Sequence, residues 1–406
     1  MKQRIFLHLL TALVLSAVCV SGAACARQGV VSIQREDLFS LDIGPMEDQI
    51  ALYNFEGGGS RQAGIAMKDG LFYISDTNGG KIVRYNSYGD LLFLIYNDET
   101  NPEPANLKPK ADNGALVTRW AFTYPLRTPG KIVVDSRKHI YVEERLPRER
   151  HVIDTKNRVL HDSVILHFDE DGRFIEYLGQ GGQGGGPFPR ITGLFSSVQD
   201  EIAAVCLLPQ GWNVYWYNSQ GEQLFLIQIL KSAIPAPPDW RDFIASIDTV
   251  IAAPDARKLY IKVDYYRDIF DKSTNTHVST EPVSTLIWIL NVDGGNYESY
   301  AEAPLYEYSY IENGRTAYMR LFYSMLGLVN NGEILLYFPV EKGYAVLRMD
   351  SNGSGQRRGF IELEAGEARF NNFHLSPEGI LSALLADEWK VKVVWWRMDR
   401  FMGGGD

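Results

Sequence analysis

The stretch that decides the fold runs from Gly64 to Tyr96 and reads GIAMKDGLFYISDTNGGKIVRYNSYGDLLFLIY. It contains four short apolar runs separated by three turns rich in Gly, Asn and Asp, residues that adopt the positive φ angles of tight hairpins. From Leu71 to Asp76 the side chains alternate with the period of two that is typical of a strand. The stretch therefore predicts a small four-stranded antiparallel sheet. Such a sheet needs similar units stacked against it to bury its apolar faces.

Five further units with the same rhythm follow along the chain. They begin at Lys131, Ile191, Thr249, Met325 and Phe370. The sixth unit has only three strands before the chain ends, whereas Leu38–Ile43, or failing that Ile50–Phe55, is a strand-like run without a unit of its own. Circular propellers often close by letting one terminus supply the missing strand of the last blade, because this removes an exposed edge. We therefore predict an all-β fold, a six-bladed β-propeller closed by an N-terminal strand.

The N-terminus has the pattern of an export signal. Lys2 and Arg4 precede a short apolar run, which ends in the small residues Ser21-Gly22-Ala23-Ala24 and then Cys25. A Cys at this place resembles the lipobox of bacterial lipoproteins, in its relaxed form common in spirochaetes, and the resemblance implies that Cys25 carries lipid. The alternative is ordinary cleavage near Ala24. The predicted organisation is a signal peptide over 1–24, a lipid-anchored tether over 25–35 and a propeller over 36–402, in the bacterial cell envelope.

Composition limits the kinds of partner. The 406-residue chain is 45% apolar and has a formal net charge of -10, so a large core is available. Nucleic acid is not expected as a partner, because its binding needs a concentrated basic face. In the mature chain only Cys206 would remain beside the lipidated Cys25, which leaves no pair for a structural disulfide.

A family resemblance is carried by two segments. Lys68-Asp69-Gly70-Leu71-Phe72-Tyr73-Ile74-Ser75-Asp76 matches the aspartate-glycine-x-hydrophobic-tyrosine-valine-x-aspartate pattern of NHL-repeat propellers, and His139–Val142 repeats part of it. The Gly-rich link before Phe188 resembles the connection between blades in that family. The resemblance covers roughly Gly64–Leu194 and implies the propeller fold.

Sequence patterns for catalysis are weak. Gly179–Gly184 satisfies a dinucleotide-binding pattern, but Pro187 and Pro189 follow where that motif needs a helix. We therefore predict no cofactor and no catalytic residue. Calcium-dependent lactonase-like propellers hold an axial ion with acidic and amide side chains, which leaves a metal-dependent lactonase or hydrolase open as the alternative function. Acidic residues near strand ends could serve there, namely Asp76, Asp135, Glu143 and Asp264.

Four long connections depart from the repeat and are predicted to carry the binding site. They are 97–129, 143–162, 264–284 and 301–320, the third of which is expected to be a polar insertion. At least two are expected to meet on one face, because propellers concentrate their variable loops there. Trp120, Arg148, Arg150 and Tyr308 are the predicted contacts, since aromatic and Arg side chains dominate binding surfaces. The expected function is a lipid-anchored scaffold that binds a protein or glycan. A purely structural envelope component also remains open.

Overall fold

The computed structural model describes residues 30–52, 63–109, 119–240, 242–312 and 314–403. Within them the chain forms a six-bladed β-propeller, as the repeats predict. The innermost strand of each blade contacts the innermost strand of the next, and that of the sixth blade contacts that of the first. The sheets therefore form a closed ring around a central channel.

The first three blades each have four antiparallel strands. Blades 1 and 2 have further strands at their outer edges. Blade 1 contains Ala63–Lys68, Leu71–Asp76, Lys81–Tyr85 and Leu91–Tyr96, then Trp120–Thr123 and Lys108–Pro109. Blade 2 contains Ile132–Val134, Ile140–Arg145, Ser163–Phe168 and Phe174–Gly179, then Gly182–Gln183. Blade 3 contains Ile191–Ser196, Ile202–Leu208, Gly211–Tyr217 and Gln223–Leu230.

The last three blades follow the same plan, and two of them receive a strand from the N-terminus. Blade 4 contains Ile244–Ala252, Lys258–Phe270, His277–Asn291 and Asn296–Ala303. Blade 5 contains Ser324–Leu328, Ile334–Val340, Gly343–Met349 and Arg357–Glu362, then Val31–Ser32. Blade 6 contains Phe370–Leu375, Ile380–Ala386, Lys390–Arg397 and, outermost, Arg35–Asp42.

The ring is closed by the N-terminal strand. Arg35–Asp42 pairs antiparallel with Lys390–Arg397, with Arg35 opposite Trp396 and Asp42 opposite Lys390. This confirms the prediction that a strand near Leu38–Ile43 completes the sixth blade. Before it, Val31–Ser32 pairs in parallel with Arg357–Glu362 and thereby joins the outer edge of blade 5.

The hydrophobic core lies between blades rather than within them. Six clusters of buried apolar side chains fill the six interfaces, and each takes its residues from two neighbouring blades. Cys206 lies in the cluster between blades 2 and 3, fully buried, and burial raises the pKa of its thiol well above the usual value.

Two hairpins and a few helical turns stand outside the blades. The hairpins pair Val152–Asp154 with Val159–His161 and Tyr306–Glu312 with Arg315–Leu321. The helical segments are the 3-10 turns Arg148–Arg150, Lys231–Ala233, Pro238–Trp240 and Asn330–Gly332, and the α-helix Met398–Met402. Among the described residues, no helix has the length and apolar character that crossing a membrane requires.

Candidate binding face

The two ends of the ring are unlike, because of how antiparallel strands are connected. Each blade begins with its innermost strand, so the link between its second and third strands and the link to the next blade emerge at the same end. We call this end the loop face. The opposite end, the turn face, carries the links between the first and second and between the third and fourth strands, which are short turns such as Lys68–Gly70 and Asn86–Asp90. Each of the four predicted long connections joins a second strand to a third strand or joins one blade to the next, so the topology assigns all four to the loop face.

The longest hairpin in the described part of the loop face belongs to blade 4. Lys258–Phe270 and His277–Asn291 stay paired from Lys258↔Asn291 to Phe270↔His277. The predicted polar insertion over 264–284 is therefore a projecting hairpin, in which the two central strands continue and only 271–276 turns. Phe270 and Val278 are exposed near its tip.

The second projection carries Tyr308. Its hairpin, Tyr306–Glu312 with Arg315–Leu321, lies between blades 4 and 5. Tyr308 is 48% exposed and Tyr318 71% exposed, and Ile311 beside the hairpin turn is also exposed. At the base, the Tyr306 ring stacks on Phe338 of blade 5 with centroids 4.3 Å apart. The partly buried base fixes the hairpin while its tip presents aromatic side chains to solvent.

The third projection is basic and belongs to blade 2. Arg148 and Arg150 occupy a 3-10 turn in which no residue is buried. The Arg150 guanidinium lies 5.5 Å from the centre of the Tyr177 ring. The following hairpin exposes Val152, Ile153 and Leu160 beside its charged residues. Arg148 and Arg150 thus lie together, on the same face as Tyr308 but on a hairpin of another blade.

Trp120 has a different place from the other predicted contacts. It begins the added strand of blade 1, where it is buried and packs edge-on against Phe93 at a centroid distance of 6.2 Å. Its indole nitrogen donates a hydrogen bond to the Asp171 carbonyl of blade 2 at 2.7 Å, and the Arg84 guanidinium lies 5.3 Å from its ring. Trp120 therefore joins blades 1 and 2 in the interior.

The central channel is lined by residues from both ends of the ring, such as Lys131 and Arg190 at the loop face and Pro254 and Pro377 at the turn face. A cavity of about 680 Å³ runs along the axis and is lined by the innermost strands of all six blades. Its polar lining combines hydroxyls, amides, a histidine and several charges; the side chains are Thr77, Lys131, Glu143, Arg145, Arg190, Thr192, Ser196, Asn371, Asn372 and His374. Burial lowers the pKa of His374 to about 4, so this imidazole is neutral at physiological pH.

The charged residues of the channel lie where the innermost strands of blades 2 and 3 begin. Lys131 precedes Ile132–Val134, Arg190 precedes Ile191–Ser196, and Arg145 ends the second strand of blade 2. Glu143 is the only carboxylate among the described lining residues. Burial raises its pKa, and Lys131 and Arg145 oppose that rise. The lining therefore carries three cations and one carboxylate, and the nearby Asp162 carboxylate also raises the pKa of Glu143.

The other acidic residues near strand ends serve the blades themselves. Asp76 is fully buried, accepts hydrogen bonds from the backbone of Ala51 (2.7 Å) and Gly79 (2.9 Å), and lies 3.8 Å from the Lys81 ammonium.

Two more of these carboxylates form local salt bridges. Asp135 pairs with Arg137 at 2.7 Å, and Asp264 pairs with Lys262 at 2.7 Å. The four acidic residues thus do not converge at the axis. In the described part of the chain, no three His, Cys, Asp or Glu side chains are grouped as a metal site would need.

The sequence missed most of the channel lining. Lys131, Arg190 and Asn371 carry no motif, and each reaches the cavity only because it stands at the loop-face start of an innermost strand. These residues could have been predicted from their position in the repeat. The first residues of all the repeat units together outline the mouth of a propeller channel.

Comparison with known proteins identifies no family. No protein-family model matches the chain, and no curated protein matches it. Among solved structures, the chain is similar to a gluconolactonase from Xanthomonas campestris, at 12% identity with a TM-score of 0.40, over 83% of this chain and 86% of that one.

Two other solved structures give similar values. They are Kuenenia stuttgartiensis hydrazine synthase, at 9% identity with a TM-score of 0.41 over 87% of this chain and 83% of that one, and the Dos1 propeller, at 10% identity with a TM-score of 0.34 over 90% and 94%. The chain is a six-bladed β-propeller whose sequence is remote from each of these proteins.

Proposed function

We propose that the protein is a lipid-anchored, NHL-like propeller of the bacterial envelope that binds a protein or glycan through its loop face. The observation that carries this proposal is the asymmetry of the ring. Every long connection and all three projecting hairpins belong to one end, where Arg148, Arg150 and Tyr308 are solvent-exposed or half-exposed. In the described part of the chain, the other end carries short turns and the short helix Met398–Met402. A rigid ring that holds exposed aromatic and arginine side chains on one face is suited to recognition.

The positive channel mouth favours this function over the calcium-dependent lactonase. A divalent cation needs several oxygen ligands of net negative charge. Here the lining contains three cations, Lys131, Arg145 and Arg190, and one carboxylate, Glu143, so a divalent cation would be repelled at the mouth. The same charges attract an anionic ligand.

A pull-down from envelope extracts tests the binding face. The variant Arg148→Ala/Arg150→Ala/Tyr308→Ala should lose at least one protein or glycan partner, because truncating such anchors typically costs about 2 kcal/mol or more of binding free energy. The matched control is Tyr88→Ala, since Tyr88 is 87% exposed on the turn face. Both variants should melt like the wild type. If the triple variant recovers the same partners as the control, the loop face is not the binding surface.

The anchor is tested by fractionation. Cys25 lies outside the described residues, and its acylation rests on the lipobox-like sequence alone. Cys25→Ser should move the protein from the detergent phase to the aqueous phase, because acyl chains provide the membrane affinity. Equal partitioning of variant and wild type into detergent would contradict lipid attachment.

A further inference from the structure

The channel mouth holds three cations, Lys131, Arg145 and Arg190, which outnumber the two carboxylates near them, Glu143 and Asp162. Apart from the proximity of Lys131 and Arg145 to Glu143, the side chains of Lys131, Arg145 and Arg190 make no hydrogen bond or salt bridge with any described residue. Several other arginines are paired, as in Arg397 with Asp399 at 2.6 Å. In a protein with a net charge of -10, three cations around one cavity are a local concentration of positive charge.

Glu143 does not cancel this charge. Its Oε2 accepts a hydrogen bond from the backbone N–H of Lys131 at 3.3 Å, which turns the carboxylate toward the wall of blade 2. Burial raises its pKa, so the surroundings favour its neutral form more than water does. The mouth is positive whether Glu143 is ionised or protonated.

The neutral polar lining of the same cavity limits the ligand further. The wall contributes the amides of Asn371 and Asn372 and the hydroxyls of Thr77 and Thr192. The Thr77 and Thr192 hydroxyls donate to the carbonyls of Pro129 (2.7 Å) and Val205 (3.1 Å), so toward a ligand they act as acceptors. The amide groups of Asn371 and Asn372 supply donors, so the wall offers both kinds of group that sugar hydroxyls require. Phe195, Phe370 and Phe373 also line the cavity and offer apolar surface to the C–H faces of a sugar. The volume of about 680 Å³ is in the range of small-molecule sites.

We propose that the channel mouth binds a carboxylate-bearing sugar, such as a uronic acid residue of an acidic glycan. Arg145 and Arg190 bind the carboxylate, since arginine pairs with carboxylates through two parallel N–H···O bonds. Lys131 contributes charge, and the amides and hydroxyls bind the ring. This inference rests on the proposed function, because it names the ligand class of the loop face.

Titration calorimetry with trigalacturonate, against neutral galactotriose, tests the inference. Wild-type protein should bind trigalacturonate and not galactotriose, and the affinity should fall as salt rises, because charge pairs at a solvent-accessible mouth are screened. Arg145→Gln and Arg190→Gln should each weaken binding about tenfold or more. Both residues are exposed, so an unchanged melting temperature is expected. Lys138→Gln, at a turn-face position, is the matched control and should bind normally.

Three results would overturn the inference: equal binding of the two sugars, no binding of trigalacturonate, or full affinity in both arginine variants. A glutamate-rich peptide that binds as tightly as trigalacturonate would also overturn it, in favour of an acidic peptide. If trigalacturonate fails to bind while the loop-face triple variant still loses its partner, the sugar assignment is wrong and the proposed function stands. If the triple variant also keeps its partners, both are wrong.

Discussion

At the scale of single residues, Glu144 shows how a blade is linked to the loop before it. The residue is 6% exposed at the end of the second strand of blade 2. Its Oε1 accepts hydrogen bonds from the backbone N–H groups of Arg127 (3.2 Å) and Thr128 (3.0 Å), whereas its Oε2 is buried without a partner. Burial raises the pKa of Glu144 to about 7, although the two backbone donors oppose the rise.

This pKa predicts a pH-dependent stability. Between the ordinary carboxyl pKa of 4.5 and about 7, the folded chain binds more protons at Glu144 than the unfolded chain, so the free energy of unfolding falls as pH rises through this window. Glu144→Gln resembles the protonated form and removes this dependence. Relative to wild type, the variant should gain roughly 3 kcal/mol of unfolding free energy between pH 4 and pH 8.

Urea unfolding of both proteins across this pH range measures the effect. The exposed Glu149 provides the control, since Glu149→Gln should follow the wild-type curve. Parallel curves for Glu144→Gln and wild type would show that the buried carboxyl does not titrate in this window.

The sequence predicted which types of residue the loop face carries better than it predicted where each side chain lies. Arg148, Arg150 and Tyr308 lie at the surface, as their polar or turn-rich surroundings suggest. Trp120 is buried because its segment pairs in parallel with Leu91–Tyr96 and extends blade 1. A long-range parallel pairing has no local sequence pattern, so the prediction treated this segment as loop.

At the scale of elements, the closing strand is held by side chains as well as by its backbone. Leu41 is buried, and the Phe39 ring lies 5.3 Å from that of Tyr85 in blade 1. Glu36 accepts a hydrogen bond from the Trp395 indole at 3.0 Å. The strand therefore seals the interface between blades 6 and 1, in addition to completing a sheet.

Deleting Glu36–Ile43 should strongly destabilise the protein. The deletion exposes the edge of Lys390–Arg397 and the apolar cluster under Leu41 and Phe39, which favours aggregation. Thermal unfolding followed by light scattering measures both effects. The control deletion is Ala26–Gly29, which spares Val31–Ser32 and should be nearly neutral. Equal behaviour of the two deletions would contradict closure by this strand.

The sequence predicted that the six units exist, but it did not predict how long their strands are. The period of two and the Gly, Asn and Asp turns predicted six units, because each blade repeats the same local chemistry. The long hairpin of blade 4 was missed because Asp264–Ser284 is polar. Polar strands occur where a hairpin projects into solvent, since neither face is buried there.

At the scale of the whole molecule, closure of the ring creates two functionally different ends. All six innermost strands run in the same direction. Insertions between second and third strands, and insertions between blades, therefore accumulate on the loop face without disturbing the inter-blade core. The N-terminal segment enters at the outer rim of blade 5, where Val31 lies opposite Gly359. The predicted lipid anchor would thus attach beside the ring and leave the channel mouth uncovered.

The most direct test of the binding face is photo-crosslinking in intact cells. A benzoylphenylalanine placed at Tyr308 or Arg150 on the loop face should form adducts of higher mass with a partner after irradiation. The same probe at Tyr88, on the turn face and 87% exposed, should form none. Adducts at Tyr88 without adducts at Tyr308 or Arg150 would contradict the assignment of the loop face as the binding surface.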